Sequence, residues 1–260
     1  MPAGLRDISP VVAIVQARLG STRLPQKVMR DICGRPMLWH VVNRARMAAL
    51  VDTVVVATTT EKADDAIEKW CGDNALLCFR GSLNDVLERY YGAAKEYGAK
   101  TIVRITSDCP LLDPSLVDEI IRRFSEGGLD YVSVGPDHPD GLDAEVFSYE
   151  ALKRAFDEAT LSSEREHVTP YMWKNPGTFK ISSVSCRKDL SHMRWTVDDE
   201  RDYKFVKAVY EGLGCPEKAF YLNDILGFLE KNTELLKINS GTKRNEGYAK
   251  SVKEDKAVKT

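Results

Sequence analysis

The sequence predicts an α/β fold, a mainly parallel, mixed sheet flanked by helices, and three observations carry that prediction. β-Branched apolar runs of strand length alternate with longer segments of helical periodicity through the first half of the chain. The first run, Val11-Val-Ala-Ile-Val15, is apolar throughout, as a strand buried on both faces should be. The loops after several strands carry cations or carboxylates, and open α/β sheets place their ligands at the carboxyl ends of strands.

The remaining elements follow in order. Pro36 stands where a helix would begin, since its missing N–H costs nothing in the first turn. Met37, Leu38, Val41, Val42, Ala45 and Ala48 then recur at helical spacing. Thr53-Val-Val-Val-Ala-Thr58 is a β-branched strand. A helix from about Lys62 to Cys71 has acid near its start, which suits the helix dipole. Leu76 to Phe79 reads as a short strand, and Asn84 to Tyr97 as a helix closed by Gly98. Thr101 to Ile105 is the next strand, followed by a loop holding Asp108 and a helix from about Pro114 to Glu126.

Tyr131 to Val134 is a further strand, after which the pattern loosens. His138-Pro-Asp-Gly141 forms a turn, with proline fixing one torsion and glycine supplying positive φ. Asp143 to Phe147 predicts a strand, and Tyr149 to Ala159 and Glu164 to Trp173 predict helices. Phe179 to Val184 and Arg194 to Val197 predict strands, and helices follow over about Asp199 to Gly212 and Asn223 to Asn232. From Lys237 onward the chain carries 7 Lys or Arg and little apolar periodicity, so it reads as a solvated tail or a loosely docked helix.

Composition sets limits. The chain has 260 residues, 43% of them hydrophobic and 29% charged, with a net charge of −2. A nucleic-acid binder would show an excess of base, and none is present. No apolar run reaches the ~18 residues of a membrane span, and no signal-type stretch opens the chain, so a soluble cytoplasmic protein is expected. Cys33, Cys71, Cys78, Cys109, Cys186 and Cys215 are scattered, with no Cys-x-x-Cys and no Cys/His cluster of zinc spacing. Buried reduced thiols are the expectation for all six.

The chemistry is concentrated in the loop Gln16-Ala-Arg-Leu-Gly-Ser-Thr-Arg-Leu-Pro-Gln-Lys27. Arg18, Arg23 and Lys27 supply positive charge, while Gly20, Ser21 and Thr22 let the backbone turn and present donors. Cations and donors beyond a strand's carboxyl end are what a polyphosphate needs. The spacing is not that of a Walker P-loop. Asp108, held extended by Cys109-Pro110, would point its carboxylate into the same crevice. Asp198 and Asp199 lie just before a helix, where capping is the ordinary role of aspartate. Ser82 reads equally as a helix cap, Thr106 as a buried strand hydroxyl and His167 as a satisfied structural histidine.

The ordered set Ala-Arg, Ser-Thr-Arg-Leu-Pro, Lys27 and Gly-Arg-Pro-Met-Leu resembles the opening of the cytidylyltransferases that activate acidic sugars. These include the acylneuraminate and ketodeoxyoctulosonate enzymes, and the resemblance is strongest to the branch named for the spore coat polysaccharide protein SpsF. It continues through Arg80-Gly-Ser82, Thr106-Ser-Asp-Cys-Pro110, Asp140-Gly-Leu-Asp-Ala-Glu145, Arg165-Glu-His-Val168 and Arg194-Trp-Thr-Val-Asp198, and so spans nearly the whole chain.

The resemblance implies a Rossmann-like nucleotide-diphospho-sugar transferase fold and a Mg²⁺-dependent transfer of CMP from CTP to an acidic sugar, or a related phosphorylated or phosphonate metabolite. It implies that Arg18, Lys27 and Asp108 are catalytic and that Asp108 and Asp198 hold the metal. It places Gln16, Ala17, Arg18, Gly20, Ser21, Arg23, Lys27, Ser82 and Thr106 on the nucleotide, and Glu145 and His167 on the acceptor. It also implies a homodimer. One domain over residues 1–236 is expected, with an acceptor and dimer subregion near 135–191 and a charged tail over 237–260.

Three positions depart from the family patterns. Gln26 stands where glycine is common, Thr106 replaces the glutamine of the ketodeoxyoctulosonate branch, and Asp198 and Asp199 are adjacent rather than spaced by one. The last two argue against the two best-known acceptors. The alternative is a glycosyltransferase using a nucleotide-sugar donor on the same fold. Such enzymes usually carry an Asp-x-Asp motif mid-chain, and Asp108 has no such partner.

Overall fold

The computed structural model describes residues 7–215, 218–242 and 244–258. The chain enters through β1 (Val11–Gln16), whose six residues are buried almost throughout. After the cationic loop, a hairpin of β2 (Asp31–Ile32) and β3 (Arg35–Pro36) leads into α1 (Met37–Met47), with Pro36 at the cap rather than inside the first turn. Then come β4 (Thr53–Thr59), α2 (Asp65–Asp73), β5 (Leu77–Gly81), α3 (Val86–Glu96) and β6 (Thr101–Thr106). α4 (Pro114–Ser125), β7 (Tyr131–Val134), β8 (Ala144–Ser148) and α5 (Tyr149–Glu158) follow. α6 (Ser162–His167), α7 (Pro170–Trp173), β9 (Ile181–Val184), α8 (Glu200–Leu213), α9 (Leu222–Lys231) and α10 (Glu246–Lys253) complete the order.

The main sheet has seven strands in the order β5-β4-β1-β6-β8-β7-β9. β5, β4, β1 and β6 are mutually parallel, β8 runs against both its neighbours, and β9 is parallel to β7. The period of two along β1 divides the core. Val11, Ala13 and Val15 pack under α1, α4 and α8, while Val12 and Ile14 pack under α3 and α5. Full burial of such side chains, at roughly 1.5–3 kcal/mol each, is the main term holding the sheet between its helices. Among the described residues no helix is long and apolar enough to cross a membrane.

Three sequence expectations change. The helix expected over Glu164 to Trp173 is two helices, because Val168 takes φ 74 and breaks the turn before Pro170. Arg194 to Val197 is not a strand. Its amides bond to loops: Thr196 N–H donates to Asp140 O at 3.0 Å and Val197 N–H to Asp108 O at 2.8 Å. Cys33 and Cys215 form a disulfide across 182 residues, with their Cα atoms 5.8 Å apart, so those two are not reduced thiols. Local spacing cannot reveal a pair separated so far. Of the two readings of the charged C-terminal stretch, the docked helix is the one found: α10 packs on α6 and α7 through side chains named below.

Candidate active site

The first loop is built to hold Lys27 still. Ala17 N–H extends the ladder by donating to Ala57 O at 3.0 Å, and Leu19 N–H donates to the buried Asp64 carboxylate at 2.7 Å. Buried Leu24 and Val28 anchor the loop's far side. Gln26 adopts φ 54, the left-handed conformation glycine favours, so the chain bends there without a glycine. Gly20 has open space around its Cβ position and an ordinary φ, so the turn does not depend on it. Ser21 acts locally, its hydroxyl accepting from Leu24 N–H at 3.3 Å.

Lys27 Nζ then reaches across the crevice to three acceptors. Asp108 Oδ2 and Asp198 Oδ1 each lie 3.1 Å away, and Val197 O lies 2.9 Å away. Arg23 pairs with the same Asp198 oxygen at 3.0 Å. Burial pushes the Asp108 carboxyl up, but the Lys27 charge and hydrogen bonds from Thr106 and Lys27 outweigh it and hold it at about 2. Burial likewise opposes the Lys27 charge, and the two carboxylates overcome that and raise it.

The two acids come together by different routes. Asp108 leaves the end of β6, and its carbonyl accepts from Val197 N–H and, at 3.2 Å, from the Thr196 hydroxyl. That pairing lays the Arg194–Val197 segment beside it and delivers Asp198. Asp199 caps α8, accepting from Arg201 and Asp202 N–H at 2.8 and 3.0 Å. The adjacent aspartates therefore divide the work, Asp199 starting the helix and Asp198 facing the crevice.

Sequence reasoning missed the groups behind Asp198. Arg194 donates to Asp198 Oδ2 at 2.9 Å, to Asp202 at 2.9 Å and to Asp140 Oδ2 at 2.7 Å. Asp140 and Arg194 both lie inside motifs that carry the family resemblance, but nothing in those motifs pairs one with the other. Burial and the nearby Asp143 charge push the Asp140 carboxyl up to about 6, against the opposing pull of Arg194 and Arg244. Gly141 is required here. Its φ is 111, and a Cβ would stand 2.3 Å from Thr196 N.

The expected nucleotide contacts line the same end of the sheet. Gln16 ends β1, and its Oε1 is buried with no hydrogen-bond partner among the described residues. Arg18 is exposed and makes no ion pair among the described residues. Ser82 is locked by α3: its hydroxyl accepts from Asp85 N–H, its N–H donates to Glu88 and its carbonyl accepts from Arg89 Nε. The Thr106 hydroxyl lies 3.3 Å from the Cys109 sulfur.

The two expected acceptor residues are joined to the Lys27 cluster by no direct hydrogen bond or ion pair among the described residues. Glu145, on β8, faces Arg104 on β6 and pairs with it. It also accepts from the hydroxyls of Tyr131 and, at 2.7 Å, Thr169. The Arg104 partner was not foreseen. His167 ends α6, with Nε2 3.0 Å from the Ser251 hydroxyl and its ring 5.0 Å from that of Tyr248, both on α10. Burial lowers its pKa.

Two carboxylate oxygens within hydrogen-bond reach of one ammonium are close enough to share a cation. Among the described residues no third His, Cys, Asp or Glu joins them in a metal-holding group. A hard two-carboxylate donor set suits Mg²⁺ or Mn²⁺, which take one or two such ligands and complete their shell with phosphate and water.

Residues 12–244 match the family described as Cytidylyltransferase. The chain is 36% identical over 236 residues to an uncharacterised protein of Methanocaldococcus jannaschii, covering 90% of this chain and 96% of that one. It is 32% identical over 214 residues to the spore coat polysaccharide biosynthesis protein SpsF of Bacillus subtilis, covering 80% and 89%. A solved cytidylyltransferase from Leptospira borgpetersenii superposes with a TM-score of 0.83 at 32% identity, covering 90% of this chain and 99% of that one.

Proposed function

The chain belongs to the cytidylyltransferase family, and from that premise we propose that it transfers CMP from CTP to an acidic sugar or a related phosphorylated or phosphonate metabolite, releasing pyrophosphate. The observation that carries the reading is Lys27 bridging Asp108 and Asp198, three residues distant in sequence brought to one point beside a cationic loop. The acceptor oxygen attacks the α-phosphorus in line with departing pyrophosphate, and positioning with charge neutralisation supplies most of the acceleration.

Arg18, exposed and paired with no carboxylate among the described residues, is placed to meet the triphosphate. Arg23 and Lys27 neutralise Asp198 and Asp108 in the resting site and turn to phosphate oxygens when the nucleotide enters. Asp108 and Asp198 would then hold Mg²⁺, which supplies charge neutralisation at the phosphates. Gln16, Ala17, Gly20, Ser21, Ser82 and Thr106 form the floor and walls of the nucleotide crevice. Glu145 and His167 serve the acceptor side, Glu145 by holding the Arg104 guanidinium in place for an acidic group. The protein acts as a homodimer, which light scattering at working concentration checks.

The decisive assay is pyrophosphate release from CTP and Mg²⁺ across a panel of acidic sugars and of phosphorylated and phosphonate acceptors. Asp108→Asn is expected to abolish release. Failure of the wild-type protein to bind CTP, with or without Mg²⁺, removes the proposal.

A further inference from the structure

Arg244 lies in the C-terminal segment, far in sequence from the first loop, and is the last residue of the family match. It donates from Nη1 to Pro136 O at 2.9 Å and to His138 O at 3.1 Å, and it pairs with Asp143 and, at 3.9 Å, with Asp140. From there charges alternate without a break: Asp140 to Arg194 at 2.7 Å, Arg194 to Asp198 at 2.9 Å, Asp198 to Lys27 at 3.1 Å and Lys27 to Asp108 at 3.1 Å. The relay joins the C-terminal segment to both acids of the site.

The segment it anchors is held mainly by polar contacts. Asp255 accepts from Ser163 N–H at 2.9 Å and from the Ser162 and Ser163 hydroxyls, at the start of α6. Tyr248 packs against His167 and Trp173. No residue of α10 is buried. An element with so little buried apolar surface is cheap to undock, so a small free-energy change elsewhere can shift it.

We propose that Arg244 is a positioning residue for Asp198, acting through Asp140 and Arg194, so that docking of the C-terminal segment and loading of the metal–nucleotide site form one linked equilibrium. The inference rests on the proposed function for its assignment of Asp198 to the metal. Without Arg244, the neighbouring carboxylates of Asp140 and Asp143 lose their shared cation and separate. Arg194 then loses a fixed anchor, and the orientation of Asp198 relaxes. Linkage is reciprocal, so metal–nucleotide binding in turn stabilises the docked segment.

The test uses Mn²⁺ as the probe, titrated into the full chain with CTP and no acceptor, and followed by the paramagnetic signal of free Mn²⁺. R244A is expected to weaken Mn²⁺ binding about 10-fold, as loss of an orienting group behind a metal ligand does. R244K should recover most of that, and K250A, on the exposed face of α10, should match wild type. Removing a positive charge with no change in position would tighten Mn²⁺ instead, so unchanged or tighter binding by R244A overturns the proposal. A second measurement needs no metal: thermal midpoints of R244A, D198N and the double variant. A double variant that loses less than the singles combined supports the relay, and additive losses overturn it. If wild type binds no Mn²⁺ with CTP, the proposed function fails on its own and the second measurement decides the relay.

Discussion

At the residue scale, Lys27 does the work of a cation between two acids, and its removal should show that. Lys27→Met keeps the apolar stem and deletes the charge. Nucleotidyl transfer is expected to fall roughly 10²–10³-fold, the cost of losing one preorganised donor. In metal-free buffer the variant should also melt lower, because Asp108 then loses its cation while facing Asp198, which keeps only Arg23 and Arg194. Added Mg²⁺ should raise the melting temperature of the variant more than that of wild type. The pH dependence has a definite sign. The Asp108 carboxyl is held at about 2, below its ordinary 3.8, so its stabilising contribution is full above that ordinary value and disappears as pH falls towards 2. Urea unfolding between pH 2 and 5 should show that loss in wild type and a shallower one in Lys27→Met. His40 offers a second slope. Burial lowers its imidazole from 6.5 to about 4, while its Nε2–H donates to Ile32 O at 2.8 Å. A base with a depressed folded pKa stabilises above its unfolded value, so about 3 kcal/mol should be lost as pH falls from 6.5 to 4. His40→Gln, which keeps a donor for Ile32, should flatten that window. The loop cations and Asp108 could be read from the sequence because they follow β1 and β6, whereas Asp198, which follows no strand, was singled out only by the family resemblance. Arg194, Asp140 and Arg244 could not be read, because a relay is a property of three-dimensional neighbours.

At the element scale, the site depends on a loop that borrows its backbone bonds from other loops. The segment from Arg194 to Val197 has strand-like composition, and the alternation of Trp195 and Val197 made a strand the natural expectation. Its amides found Asp140 O and Asp108 O before any sheet edge, because Gly141 lets the two backbones approach more closely than a Cβ would allow. Gly141→Ala is therefore expected to act on both stability and function. The positive φ alone costs about 1–3 kcal/mol, and the contact with Thr196 N forces the segment away from Asp108. Thermal unfolding should show the first effect and calorimetric titration with CTP and Mg²⁺ the second. Wild-type nucleotide affinity in the variant would show that Asp198 reaches its place without this close approach. Parallel strands were legible to within a residue or two because burial on both faces leaves an unbroken apolar run: Val11–Val15 was expected, and β1 runs Val11–Gln16 between two parallel neighbours. The break at Val168 was not legible, since a β-branched residue gives no local sign of a positive φ.

At the scale of the whole molecule, the disulfide shows where reading by segments stops. Cys33 sits in the hairpin just after the Lys27 loop, and Cys215 lies just past α8, the helix that begins after Asp198 and Asp199. The hairpin is also tied to α8 near its start: Arg30 pairs with Glu200 and lies 3.9 Å over the Tyr203 ring, while the Tyr203 hydroxyl donates to Asp31 O. The two halves of the site, Lys27 on one side and Asp198 on the other, thus sit on elements joined both by polar contacts and by a covalent bond. A cross-link closing a loop of 182 residues removes much conformational freedom from the unfolded chain. Its loss should lower unfolding stability by roughly 2–5 kcal/mol. Reduction by a dithiol should therefore lower the melting temperature of wild type, and the Cys33→Ala/Cys215→Ala variant should melt at the reduced value with or without reductant. The polar ties at the start of α8 persist in that variant, so CTP and Mg²⁺ affinity should change far less than stability does. A double variant that loses nucleotide binding while remaining folded would mean that the bond, and not the Arg30–Tyr203 contacts, sets the distance between Lys27 and Asp198.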